Sequence, residues 1–138
     1  MSHFKDLSIL YVEDDPQSRL VMEILLVESL GVSRLKIFEN SANFEVHLDE
    51  LPFQPNIIFL DIHMLPIDGF AMLQILRSHP EYQHTPILAL TASVMNEEVE
   101  QLRSAGFNGV IPKPINLDTF PEALMQIMAG SEVWRVIH

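Results

Sequence analysis

The chain has 138 residues, of which 19 are Asp or Glu and 8 are Lys or Arg, so its formal net charge is −11. This length suits a single domain, and the negative charge argues against nucleic acids and anionic membranes as direct partners. The sequence contains no cysteine, which excludes disulfides, thiolate zinc sites and a cysteine nucleophile. No apolar run approaches the roughly 18 residues of a membrane span, and we expect a cytoplasmic protein.

The first segment of the chain predicts a strand followed by a helix. The apolar run 8–12 predicts a buried strand, and it ends in the acids Glu13, Asp14 and Asp15. Asp15 precedes Pro16, which is the arrangement of a helix N-cap with proline at the first helical position. Three apolar residues then repeat at helical spacing, namely Leu20, Ile24 and Val27.

The central strand of the chain ends in a single acid. Two elements precede this strand. Residues 35–38 predict a more polar strand, typical of a sheet edge, and residues 41–51 predict a weak helix. The run 57–60 is apolar without alternation, as in a strand buried on both faces of a parallel sheet, and Asp61 follows it. Ligands of open α/β sheets bind at the carboxyl ends of the strands, which makes Asp61 the first functional candidate.

The second half of the chain continues the same alternation. A helix bearing Met72, Ile75 and Leu76 leads to a strand at 87–90, and Thr91 follows that strand. A helix at about 96–105 precedes a short strand at 109–111, which runs into Lys113. The last helix carries an apolar face formed by Leu117, Phe120, Leu124 and Ile127.

Five strand–helix units predict an α/β fold with parallel strands and right-handed crossovers. We expect a flavodoxin-like, doubly wound five-stranded sheet of order 2-1-3-4-5, with helices on both faces. Residues 1–130 should form this domain and residues 131–138 a C-terminal tail. The topology would bring Glu13, Asp14 and Asp61 to one edge of the sheet, together with Thr91 and Lys113.

This set of side chains predicts phosphate chemistry assisted by a metal ion. Clustered carboxylates without cysteine or paired histidines favour Mg²⁺, which usually binds alongside substrate phosphate. A carboxylate such as that of Asp61 can then act as a nucleophile and form an aspartyl phosphate. Lys113 would supply a positive charge and Thr91 a hydroxyl to the phosphoryl oxygens, with a backbone donor at Ala92.

Four separated pieces of the chain resemble the receiver domain of two-component response regulators. They are Glu13-Asp14, Asp61, Thr91-Ala92 and Lys113-Pro114, each at a strand end, in the same order as in that family. The resemblance implies that a histidine kinase or a phosphotransfer protein phosphorylates Asp61, and that the domain is a switch with its own phosphorylation and dephosphorylation chemistry rather than a turnover enzyme.

The resemblance also implies a role for each residue of the site. Mg²⁺ would be bound by Asp14, by Asp61, by the backbone carbonyl of His63 and, through a water molecule, by Glu13. We expect the imidazole of His63 at the surface. Thr91, Ala92 and Lys113 would bind the phosphoryl group. Lys113-Pro114 would be a cis peptide, as in the family.

The sequence departs from the family pattern in two places. The switch position on the last strand, usually aromatic, is Val110, so the signal is expected to pass through the Thr91 side of the site. In the loop after Asp61, Pro66 stands one place later than usual and Leu65 takes its position. No output domain follows the last helix, which suggests the stand-alone form acting on a downstream protein, although a fragment of a hybrid kinase is an alternative.

Two other functions are consistent with parts of the pattern. A pseudo-receiver would use the fold as a scaffold independent of phosphorylation, and Val110 is compatible with it. A Mg²⁺-dependent phosphohydrolase with an aspartyl nucleophile would need a second Asp two residues after Asp61, where His63 stands. Trp134, in the tail, is expected either to pack back on the domain or to dock on a partner.

Overall fold

The computed structural model describes residues 4–134; residues 1–3 and 135–138, the latter being half of the predicted tail, lie outside this range. The strands are β1 (Ser8–Val12), β2 (Arg34–Phe38), β3 (Ile57–Asp61), β4 (Ile87–Thr91) and β5 (Gly109–Pro112). The helices are α1 (Pro16–Glu23), α2 (Phe44–Asp49), α3 (Gly69–Arg77), α4 (Asn96–Ala105) and α5 (Phe120–Met128), with a π-helical segment at Ile24–Ser29 and a 3₁₀ turn at Pro80–Tyr82.

The five strands form one parallel sheet of order β2-β1-β3-β4-β5, which confirms the predicted fold. The register pairs Val12 with Leu60 and Asp61 with Leu90. The carboxyl ends of β1, β3 and β4 therefore lie level with one another. This is the edge at which the predicted site residues follow their strands.

The sheet has an apolar core on each face, because successive strand side chains point to opposite sides. One core packs β-strand residues such as Leu10, Ile58 and Ala89 against α2, α3 and α4. The other packs residues such as Ile9 and Phe59 against α1 and α5. Strands β1, β3 and β4 are buried along their whole length, as their apolar runs predict.

The helix after β1 turns its predicted apolar stripe toward solvent. Leu20, Ile24 and Val27 are 58%, 45% and 41% exposed. The residues that enter the core are Met22, Leu25 and Leu26. This helix carries apolar side chains on two faces, and it passes into the π-helical segment after Glu23, so the spacing pattern alone did not select the buried face.

The ends of the helices follow the sequence signals at two places and differ at one. The Asp15 side chain caps α1 by accepting the backbone N–H of Ser18 at 2.9 Å, and α4 spans the predicted residues 96–105. The prediction that Leu117 belongs to the apolar face of the last helix is wrong, because Leu117 is 58% exposed and precedes α5. The helix starts at Phe120 because Pro121 is tolerated only in a first turn. None of the helices within residues 4–134 is long and apolar enough to cross a membrane.

Candidate functional site

Three carboxylates meet at the carboxyl ends of β1 and β3. Glu13 follows β1 and Asp61 ends β3, and parallel pairing of these two strands brings the two residues together. One carboxylate oxygen from each of Glu13, Asp14 and Asp61 lies within 4.8 Å of the other two. Glu13 is fully buried and Asp61 is 4% exposed, whereas Asp14 faces solvent. The cluster therefore has a buried floor and an open rim.

The ammonium group of Lys113 lies against this cluster. Its Nζ is 3.0 Å from Oε1 of Glu13 and 3.4 Å from Oδ2 of Asp61. The Lys113 backbone N–H donates to the carbonyl of Thr91 at 2.9 Å, which ties the residue to the end of β4. The peptide between Lys113 and Pro114 is cis, as the resemblance implied.

Burial and charge act against each other in this pocket. Burial raises the pKa of Glu13, and the adjacent Asp61 carboxyl raises it further, while hydrogen bonds from Tyr11 and Lys113 oppose both effects. Burial works against the charged form of Lys113, but the hydrogen bonds and negative charges of Glu13 and Asp61 prevail and raise its pKa. Three carboxylates thus face one ammonium group, and a further cation would stabilise the ionised acids.

The donor set of the cluster fits Mg²⁺. Its side-chain ligands are all carboxylate oxygens, which a hard divalent cation prefers, and the exposed rim at Asp14 leaves room for the water ligands that Mg²⁺ retains. His63, whose carbonyl is the remaining predicted ligand, donates its backbone N–H to Oδ1 of Asp61 at 3.1 Å. This bond holds the loop after β3 beside the pocket.

Thr91 and Ala92 border the pocket at the end of β4. Thr91 is 3% exposed, and its Oγ1 accepts the backbone N–H of Ser93 at 3.1 Å. The Nε2 atom of His63 lies 3.4 Å from the same hydroxyl, and the His63 side chain is otherwise exposed, as expected. Ala92 is exposed and has no side chain beyond Cβ to obstruct access.

The two departures from the family pattern are visible in the structure. Val110 is 1% exposed and lies in the core beneath α3 and α4, so its small side chain fills space without reaching the surface. Leu65 is 83% exposed in the loop after β3, and the peptide between Leu65 and Pro66 is cis. The altered loop thus places an apolar side chain in solvent near the pocket.

Three residues support the site and were not identified from the sequence. The hydroxyl of Tyr11, which is fully buried, donates to Oε1 of Glu13 at 2.7 Å. Arg19 donates from Nη1 to the Glu13 carbonyl at 3.1 Å, and the buried Ser41 hydroxyl accepts the N–H of Ile67 at 2.8 Å. The sequence contained a signal for Tyr11, because it stands two residues before Glu13 and residues two apart in a strand point to the same side. The contacts of Arg19 and Ser41 depend on tertiary structure alone.

Comparison with known proteins identifies the family. Residues 9–125 match the profile of the response regulator receiver domain. Chemotaxis protein CheY-3 of Vibrio cholerae is 30% identical over 127 residues, which cover 89% of this chain and 92% of that protein. The signal transduction histidine-protein kinase BarA of Escherichia coli is 25% identical over 127 residues, which cover 92% of this chain but only 13% of BarA.

Solved structures agree with this result. The chemotaxis response regulator CheY4 of Vibrio cholerae matches with a TM-score of 0.78 at 22% identity, over 88% of this chain and 98% of that one, and shows the fold. The receiver domain of the sensor histidine kinase PA1611 from Pseudomonas aeruginosa, which holds a magnesium ion in its active-site cleft, matches with a TM-score of 0.74 at 25% identity, over 91% of this chain and 99% of that one. The chain therefore belongs to the response regulator receiver domain family of two-component signalling.

Proposed function

We propose that the protein is a phosphorylation switch in which Asp61 accepts a phosphoryl group from the phosphohistidine of a histidine kinase or a phosphotransfer protein. An oxygen of Asp61 forms the new bond to phosphorus, while the bond from phosphorus to the donor imidazole breaks and its electron pair leaves with the imidazole. The observation that carries this proposal is the position of Asp61, 4% exposed and flanked by two further acids and the Lys113 ammonium.

Mg²⁺ is the cofactor that we propose for this transfer. The carboxylates of Glu13, Asp14 and Asp61 and the carbonyl of His63 would hold it. When bound, the ion neutralises negative charge on the transferring group. The side chain of Glu13 is fixed for this role by Tyr11 and Lys113, which both contact its Oε1 atom.

The remaining site residues act on the oxygens of the phosphoryl group. Lys113 supplies its ammonium, the Thr91 hydroxyl donates a hydrogen bond, and the Ala92 backbone N–H donates another. The Thr91 oxygen accepts the Ser93 N–H, which leaves the hydroxyl hydrogen available for this bond when it points away from Nε2 of His63. Hydrolysis by water then cleaves the acyl phosphate, releases inorganic phosphate and restores the Asp61 carboxylate.

We propose that the phosphodonor docks beside the pocket on the exposed apolar stripe of the first helix. The stripe is formed by Leu20, Ile24 and Val27, and the helix that bears it starts three residues after Glu13. Apolar residues at this spacing suit the apolar face of a partner helix. The signal would then pass to a downstream protein in the cytoplasm.

The test is transfer of a phosphoryl group to the purified protein. Incubation with Mg²⁺ and acetyl phosphate should add the mass of one phosphoryl group, and the adduct should be stable to acid and labile to base. Asp61→Asn should gain nothing. Asp49→Asn is the matched control, because Asp49 is an exposed aspartate at the end of α2, and it should behave like wild type.

Three results would overturn the proposal. An unmodified wild type, or an adduct of equal yield in Asp61→Asn, removes Asp61 as the acceptor. Partner binding that is identical in wild type, phosphorylated wild type and Asp61→Asn identifies a scaffold instead. Repeated turnover of a phosphate ester identifies a phosphohydrolase.

A further inference from the structure

The chain turns back after α5 and adds a short strand-like contact to the open edge of the sheet. Gly130 adopts a φ of 92°, and Val133 then forms a parallel bridge with Gly109 of β5. The Val133 N–H donates to the Asn108 carbonyl at 3.0 Å, and the Val110 N–H donates to the Val133 carbonyl at 2.9 Å. We call residues 131–134 the strap.

The edge of β5 is shaped to receive the strap. A Cβ atom on Gly109 would lie 2.5 Å from the Val133 carbonyl oxygen and 3.1 Å from the Val133 Cβ. Any residue other than glycine at this position would therefore push the strap away. Val133 is 8% exposed in this position, although it belongs to a tail segment whose other residues reach solvent.

Trp134 anchors the strap on the face of the sheet opposite to the one on which Val133 packs. Its ring packs on the apolar core that contains Val110, and the guanidinium of Arg103 on α4 lies 5.1 Å from the ring centroid. Its indole N–H donates to Oε1 of Glu132 within the strap. The attachment is small, because it consists of one backbone hydrogen bond to β5, one to Asn108 just before β5, and one partly buried ring.

The strap and the phosphorylation site share the short strand β5. Gly109 and Val110 receive the strap at the start of this four-residue strand, and Lys113 follows its last residue. Lys113 now contacts Glu13 and Asp61. A phosphoryl group on Asp61 would add negative charge beside Lys113 and draw its ammonium away from Glu13. Because Lys113 directly follows β5, this pull would act on the end of the strand.

We propose that the strap is released from β5 when Asp61 is phosphorylated. This inference rests on the proposed function and adds its regulation: the unphosphorylated protein covers the edge of β5 with its own tail, and phosphorylation opens that edge. The signal would thus reach the surface through the backbone of β5 and the strap. The side chain of Val110 would not carry it, because that side chain is buried.

Trp134 is the only tryptophan of the chain, so its fluorescence reports the strap directly. The full chain is incubated with Mg²⁺ and acetyl phosphate, and the emission maximum and acrylamide quenching are measured while intact mass gives the phosphorylated fraction of the same sample. Emission should shift to longer wavelength and quenching should increase in proportion to that fraction. Mg²⁺ alone, and Asp61→Asn with both reagents, should leave the emission unchanged.

The outcomes separate this inference from the proposed function. Complete phosphorylation with unchanged emission and quenching refutes release of the strap and leaves the switch intact. Absence of the adduct refutes the switch, and the release that depends on it. A full shift with Mg²⁺ alone, without an adduct, also refutes release by phosphorylation.

Two variants displace the strap without touching the site. Gly109→Ala inserts the Cβ atom that meets the Val133 carbonyl, and Val133→Pro removes the N–H that bonds to Asn108. Each should show the long-wavelength emission before phosphorylation and no further shift after it. Gly109→Ala changes a residue of β5 itself. Val133→Pro changes only the strap, so it tests displacement of the strap independently. Wild-type emission in both variants would refute the strap.

Discussion

Removal of the Tyr11 hydroxyl should weaken the fold through the buried Glu13 carboxylate. Tyr11→Phe keeps the ring in the core and deletes a 2.7 Å hydrogen bond to Oε1 of Glu13, with both residues fully buried. A hydrogen bond to a charged group contributes about 1.5–3 kcal/mol. Glu13 keeps its contacts with Lys113 at 3.0 Å and with the Asp15 N–H at 3.3 Å, which places the loss near the low end, about 1.5–2 kcal/mol.

Urea unfolding in EDTA at neutral pH measures this loss. Thermal unfolding should agree with a decrease of roughly 6–8 °C, at about 4 °C per kcal/mol for a chain of this size. Tyr82→Phe is the matched control: it alters the other tyrosine of the chain, whose neighbouring acids are exposed, and it should cost less than about 0.5 kcal/mol.

A double-mutant cycle with Glu13→Gln tests the cause of the Tyr11→Phe effect. If the hydroxyl acts through the carboxylate, Tyr11→Phe should cost about half as much or less in the Glu13→Gln background, because a bond to a neutral group contributes only about 0.5–1.5 kcal/mol. Equal losses for Tyr11→Phe and Tyr82→Phe, or an unchanged loss in the Glu13→Gln background, would refute the reasoning.

Three further predictions concern charge and packing at the site. The raised pKa of Glu13 means that the folded protein binds the Glu13 proton more tightly than the unfolded chain does. Protonated Glu13 therefore contributes stability below the ordinary Glu pKa of about 4.3. This stability is lost as pH rises through the pKa of Glu13 in the folded protein. In EDTA, the free energy of unfolding of wild type relative to Glu13→Gln should fall across that window, and a flat difference would contradict the sign. Lys113→Ala removes the cation from a fully buried carboxylate and should cost about 3 kcal/mol in urea unfolding, less in the Glu13→Gln background; equal costs would mean that the pair is not coupled. Gly69→Ala places a Cβ atom 2.7 Å from Ile62 Cδ1 and 2.8 Å from the Ile62 Cα atom, and it should cost about 1–3 kcal/mol by the same assay; a neutral result would show that the backbone after β3 yields without cost.

The architecture could be predicted because its signals are local and repeated. Strands buried on both faces need uninterrupted apolar runs, and β3 shows one that ends at Asp61. Alternation of such runs with helices specifies a parallel sheet, and a parallel sheet gathers all strand ends at one edge. The proximity of Glu13, Asp14, Asp61 and Lys113 also required the strand order 2-1-3-4-5, which was taken from the flavodoxin-like fold that five strand–helix units favour.

Other features depend on contacts that a linear pattern does not contain. The first helix carries apolar residues on two faces, so only packing determined that Met22 is buried and Leu20 exposed. The strap joins Val133 to Gly109 across 23 intervening residues, and the requirement for glycine appears only when both backbones are placed.

The energetic cost of Glu13 favours a functional reason for its burial. A buried carboxylate loses hydration that its partners recover only in part, and replacement of buried ion pairs by apolar side chains often stabilises proteins. Fold stability therefore gives no reason to keep Glu13 ionised beside Asp61, whose carboxyl raises the pKa of Glu13. A divalent cation would reverse that balance, since each acid would then gain a ligand bond. Stability that rises with Mg²⁺ in wild type, and much less in Glu13→Gln, is the expected signature of this exchange.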